Sequence, residues 1–139
     1  MTKEAFIFDV SDSSYGKYVL LNSHKVPVVV CFEAVWSEHC MVVAEIFTSL
    51  AREFAESFVF ARVDVDQNPE LKEKYNIENV PTLAVFVDGE AVRFEVGVPG
   101  EKEARALLRE MQLFVDATTL KQARQQADAF KPVQQLPQP

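Results

Sequence analysis

The sequence predicts an α/β sandwich built around a mixed central sheet. Two apolar strand-like runs, Val28 to Phe32 and Phe58 to Val65, flank a long segment of helical period, which is the pattern of a strand–helix–strand unit. Asp88-Gly89 lies between two further strand-like runs and is a strong hairpin signal. With a last amphipathic segment the order reads βαβαβαββα, and the crossover rule sets the hand of the parallel connections.

In chain order, Ala5-Phe6-Ile7-Phe8 is a short apolar run before Asp9 and reads as an edge strand. Ser11-Asp12-Ser13-Ser14 is rich in residues that cap helices. Tyr15 to Leu21 carries a weak helical pattern, which Ser23-His24-Lys25 ends before Pro27. Val28 to Phe32 is continuous and β-branched or aromatic, which suits a strand covered on both faces. From Ser37 the period becomes helical: Val43, Ile46 or Phe47, Leu50 and Phe54 form a buried stripe.

Phe58 to Val65 is the next strand. Asn68 is placed to cap a short helix with Pro69 at its first position, running through Leu71 to Tyr75. Leu83 to Val87 and Ala91 to Val96 then pair back across the Asp88-Gly89 turn. Glu101 to Met111 is a helix with Ala104, Leu107, Leu108 and Met111 on one side. These elements place a domain at residues 1–112. Residues 113–139 are expected to add one more helix, Asp116 to Phe130, and a flexible Pro/Gln tail. Its narrow apolar stripe must dock: on the same chain, over the site, or in a homodimer.

Composition narrows the function classes. A 48% hydrophobic fraction and 11 Phe supply a bulky core. The net charge of −7, with the excess acid in residues 1–112, repels phosphate backbones, so nucleic acid is not an expected partner. No apolar run reaches the ~18 residues a membrane helix needs, and the first residues lack a signal-peptide pattern, so a cytoplasmic protein is expected. Two cysteines do not make a disulfide scaffold. Cys31, Cys40, His24 and His39 lack zinc-type pair spacing, so neither a metal nor another cofactor is expected.

The chemistry-bearing residues gather where the first buried strand runs into the long helix: Trp36-Ser37-Glu38-His39-Cys40. This corner, the Val63-Asp64-Val65-Asp66-Gln67-Asn68-Pro69 segment, Val80-Pro81-Thr82, Asp88-Gly89 and Gly97 together resemble the thioredoxin family, over about residues 5–112. The resemblance implies the thioredoxin fold, a cis peptide before Pro81, and a shallow groove for extended protein segments formed by Trp36, Val80, Pro81, Gly97 and Val98. It also implies a Cys-x-x-Cys pair at the helix start, where this chain has Ser37-x-x-Cys40. Ser-x-His-Cys is most similar to the thioredoxin-like domain of the bacterial chaperedoxin holdases, which also carry tetratricopeptide repeats that this chain does not show. Three further departures stand out against the family: Cys31 for a buried Asp, Glu33 for an aromatic, and Glu45 for a helix-kinking Pro.

A dithiol reductase needs one thiol to attack and a second to resolve. Ser37 occupies the attacker's place. An alcohol without a base is a poor nucleophile, and its ordinary role there is an N-cap. Cys40 is read either as a lone thiol that captures clients or glutathione, or as a small buried hydrophobe. His39 is read as an exposed helix residue or as a residue tuning Cys40. Trp36 either anchors a peptide or packs on its own loop. Cys31 is core, or it pairs with Cys40. The expected function is a protein-binding or holdase-type module without dithiol reductase activity. The alternative is a monothiol, glutathione-assisted oxidoreductase.

Overall fold

The computed structural model describes residues 6–97 and 100–114. Five strands form one sheet in the order β1-β3-β2-β4-β5. They are β1 (Ile7–Asp9), β2 (Val28–Glu33), β3 (Val59–Asp64), β4 (Thr82–Val87) and β5 (Glu90–Val96). β1 and β2 flank β3 in parallel, whereas β4 runs antiparallel to β2 and β5 antiparallel to β4. The mixed sheet of the thioredoxin fold is thus present. As its short apolar run before Asp9 suggested, β1 is an edge strand.

Two helices connect these strands, α1 (Glu38–Glu53) and α2 (Pro69–Lys74). The segment after β1 is helical where the weak pattern placed a helix. It takes a π form over Gly16–Leu21 and a 3-10 form over Asn22–His24. A further helix, α3, occupies 101–114 in the described chain. Two compact units divide within it, Met1–Ala106 and Leu107–Pro139. Ala104, Leu107, Leu108 and Met111 are all buried, as their spacing on one helix side requires. The expected helix over Asp116 to Phe130 and its docking lie outside the described residues, as does Val98.

Strand alternation gives the sheet two different faces. Val28, Val30 and Phe32 of β2 join Ala61, Val63, Ala84 and Phe86 on one face, under Val19, Leu71 and Ile77. Tyr75 closes that core, its ring 5.5 Å from Phe86 and 6.1 Å from Phe32, and its hydroxyl bonds that of Tyr15. On the other face lie Val29, Cys31 and Phe60, and Phe60 meets Phe47 of α1 edge-on at 5.4 Å. The stripe of α1 resolves to Cys40, Val43, Phe47, Leu50 and Ala51; of the pair Ile46 and Phe47, the phenylalanine is the buried one.

One capping expectation is corrected. Asn68 does not cap α2 through its side chain. Its Oδ1 accepts from the Asp12 N–H at 2.8 Å, and its Nδ2 donates to the Asp64 carbonyl. Asp12 caps α2 instead: its carboxylate accepts from the Glu70 and Leu71 N–H groups at 3.2 and 2.9 Å. An acceptor 58 residues away in sequence wins because tertiary packing aims it along the helix axis, where its charge also suits the N-terminal dipole. The Asp88-Gly89 turn has positive φ at both residues, 52° and 81°, the twist that a two-residue hairpin needs. Ser23 holds the turn by accepting from both backbone N–H groups, through its carbonyl and its Oγ.

Candidate functional site

The site lies at the end of the sheet where β2 and β3 finish and β4 begins. Phe32 pairs with Thr82, and Thr82 in turn with Val96. The chain just past β2, the Val80–Pro81 peptide and Gly97 are therefore brought to one edge. The Val80–Pro81 bond is cis. The Gly97 N–H donates to the Pro81 carbonyl at 2.9 Å, and Gly97 takes φ 63°, a value that favours glycine. Val80 is half-buried and Pro81 buried.

Ser37 is the N-cap of α1. Its backbone is extended (φ −91°, ψ 119°), and its Oγ accepts from the Cys40 N–H at 3.2 Å. The hydroxyl is thus committed to one of the helix's unsatisfied donors, and Ser37 is 8% exposed. Cys40 is 5% exposed, on the inward side of the first turn, and its Sγ accepts from the Ala34 N–H at 3.5 Å. His39 and Glu38 lie on the outside of the helix. α1 runs without interruption through Glu45, which is exposed.

Cys31 is 1% exposed on the central strand, and neither it nor Cys40 is in a disulfide. Burial raises the Cys31 thiol far above the ordinary range. The charges of Glu33 and Cys40 add to this, and Arg62 opposes it. Glu33, two residues on and so on the same face, is itself raised above its ordinary 4.5. Its burial does most of this against the pull of Arg62, with Asp64 and Asp9 adding repulsion. Arg62 reaches across to β1 and donates from Nε to Asp9 Oδ1 at 2.7 Å. Close enough to interact with the helix thiol Cys40, the central strand thus carries a thiol that resists ionisation.

Trp36 stands out from the corner, 69% exposed, next to Val35 at 80%. The indole is nevertheless held: Nε1 donates to Asp66 Oδ2 at 2.7 Å, from the loop after β3. Asp66 is kept in place by its own N–H, which donates to Asp64 Oδ1. Sequence reasoning passed over Asp66 as a site residue. The signal was there, since a Trp N–H at a corner seeks an acceptor and the Asp64-Val65-Asp66 segment ends at the same edge. The corner therefore offers a fixed aromatic platform and a capped helix, with one buried thiol behind them. Among the described residues no cluster of three His, Cys, Asp or Glu is placed to hold a metal, and no helix is long and apolar enough to cross a membrane.

Comparison with known proteins agrees with this geometry. The thioredoxin family model matches residues 6–112. The chain is 40% identical over 102 residues to the thioredoxin of Mycobacterium tuberculosis, an alignment covering 73% of this chain and 84% of that one. It is 34% identical over 113 residues to the thioredoxin of Mycolicibacterium smegmatis, covering 80% and 96%. It is also 34% identical over 88 residues to thioredoxin 1 of Synechococcus elongatus, covering 63% and 80%. With the mixed sheet, the cis-proline edge and the strand–helix corner all in place, the chain belongs to the thioredoxin family.

Proposed function

We propose that this protein is a cytoplasmic, thioredoxin-fold protein-binding module of holdase type, without dithiol reductase activity. Residues 1–112 carry the binding site, and residues 113–139 are an appendage to it. The observation that carries the reading is Ser37. It stands where a reductase needs its attacking thiol, and its hydroxyl is spent on the Cys40 N–H. A recognition surface beside it is supported by Trp36, which is exposed yet held by Asp66, and by the cis Val80–Pro81 bond at the same end of the sheet. Extended or partly unfolded segments of client proteins would lie across Trp36, Val80, Pro81, Gly97 and Val98, with apolar burial on the indole as the anchor. The resemblance of Ser-x-His-Cys to the chaperedoxin holdases, read from the sequence, points the same way, and two cysteines outside any disulfide suit a reducing compartment.

The test has two arms. The wild-type protein is expected to leave insulin disulfides intact, and Ser37→Cys is expected to gain reductase activity by restoring a Cys-x-x-Cys pair. In the second arm the wild type is expected to suppress aggregation of an unfolded client, and Trp36→Ala to lose that effect with its fold unchanged by circular dichroism. Insulin reduction by the wild type at the rate of a dithiol thioredoxin would overturn the proposal.

A second reading is favoured by the retention of Cys40 at the corner. There the thiolate of Cys40 attacks the mixed disulfide of a glutathionylated client at the glutathione sulfur, forming a Cys40–glutathione disulfide and releasing the client thiolate. A second glutathione then reduces the Cys40 adduct and leaves as glutathione disulfide. Mass spectrometry of the native protein after oxidised glutathione decides it: an adduct on Cys40 supports this route, and an unmodified Cys40 removes it.

A further inference from the structure

We infer that the corner, taken as the client site proposed above, selects extended segments in which Lys or Arg flanks apolar residues, with Trp36 and Asp66 together seating one such cation. This client class rests on the corner binding clients at all. The indole Nε1 donates to Asp66 Oδ2 at 2.7 Å, and Asp66 is itself exposed. An indole N–H is neutral, so the bond fixes the ring and leaves the carboxylate its negative charge. Arg62 of the preceding strand is spent on Asp9, at 2.7 Å. A negative charge thus lies at the rim of an exposed aromatic ring.

The ring is open to a cation from outside. Lys17 and Lys74 lie 5.5 and 5.7 Å from the ring centres of Tyr18 and Tyr75, whereas among the described residues no such cation covers Trp36. An indole face attracts an ammonium or guanidinium more strongly than a phenol face does. A client Lys or Arg that lays its stem across the ring gains the face and the carboxylate together, and its methylenes cover apolar surface that water would otherwise wet.

The surroundings repeat this mixture of apolar surface and negative charge. Val35, Met41 and Val42 are exposed at 80, 65 and 61%. Cys40 points inward, so Met41 and Val42 stand on the outer side of α1, about one turn from Glu38 before them and Glu45 after them. Three stretches reach this end of the sheet: 34–45, 64–68 and 76–82. They carry Glu38, Glu45, Asp64, Asp66 and Glu78 and no Lys or Arg; His39 is their one basic side chain. Charge complementarity therefore chooses the occupant. A second copy of this chain would bring the same carboxylates, and an acidic segment would be repelled. A segment of apolar residues between cations satisfies both parts of the face.

The test titrates the full chain, by calorimetry, with three cysteine-free peptides. They share one alternating Val-Thr centre and carry Arg, Gln or Glu on both flanks. The Arg peptide is expected to bind about tenfold more tightly than the Gln peptide, and the Glu peptide most weakly. The Arg advantage is expected to shrink as salt rises from about 0.05 to about 0.3 M. Asp66→Asn keeps an acceptor for the indole and removes the charge. It is expected to cut the ratio of Arg-peptide to Gln-peptide affinity about threefold or more. Equal affinity for the Arg and Gln peptides overturns the inference and leaves client binding at the corner standing. An unchanged ratio in Asp66→Asn also overturns it, since Asp66 then only braces Trp36. An Arg advantage indifferent to salt overturns it as well. If none of the three peptides binds, the client reading of the corner falls and the inference falls with it. The comparison of peptides on the wild-type chain needs no variant to fold.

Discussion

At the scale of single residues, the corner is decided by what each polar atom bonds. From the sequence Ser37 reads as a cap, and Cys40 as a lone thiol or a small buried hydrophobe. The Ser37 Oγ to Cys40 N–H bond at 3.2 Å shows where the hydroxyl's capacity goes. Cys31 shows the reverse case, a buried thiol whose ionisation is opposed first by burial and then by the charge of Glu33. Its folded pKa lies above the ordinary 9.0 of an exposed thiol, so the unfolded chain ionises first as pH rises. The neutral thiol's contribution is fully present below about pH 9 and is lost at higher pH, toward the folded pKa. Cys31→Val removes the titrating group at similar volume. Urea midpoints for the two proteins are expected to differ by a constant below pH 9 and to converge or cross above it. Parallel curves through the alkaline range would exclude the assignment.

At the scale of elements, sequence patterns located every described strand and helix, because apolar periods of two and 3.6 survive whatever the elements pack against. The caps were less legible. Asn68-Pro69 looked like a complete helix start, yet Asp12 from the segment after β1 supplies the carboxylate for α2, and Asn68 holds the Asp12 N–H in exchange. Local rules choose the nearest acceptor and cannot see one brought in by folding. Asp12→Ala is expected to cost about 1–2 kcal/mol in urea denaturation, whereas Gln67→Ala in the same loop costs little. The difference matters to the site, since the β3–α2 loop also carries Asp66, the acceptor that holds Trp36.

At the scale of the whole molecule, the sheet's two faces are filled differently. Phe60 is fully buried, between Phe47 at 5.4 Å and Phe58 at 6.2 Å. Phe94, on the edge strand, is 41% exposed and touches Tyr75 at 6.0 Å. Phe60→Ala is expected to lose about 3–5 kcal/mol of stability, the range for a buried aromatic. Phe94→Ala measured on dilute protein is expected to lose markedly less. If the two losses were equal, Phe94 would be core rather than a half-exposed edge residue.

The sequence by itself determined the α/β architecture, the strand order along the chain, the hairpin and the absence of a Cys-x-x-Cys pair. Each of these is local chemistry: a hydrophobic period, a turn that demands positive φ, or the identity of a side chain. Only the tertiary structure decided that Asp66 steadies Trp36, that Asp12 caps α2, and that Cys40 is turned inward. Those are pairings between distant segments or orientations about a packed axis. They depend on where the sheet brings chain ends together, which no single stretch of sequence encodes.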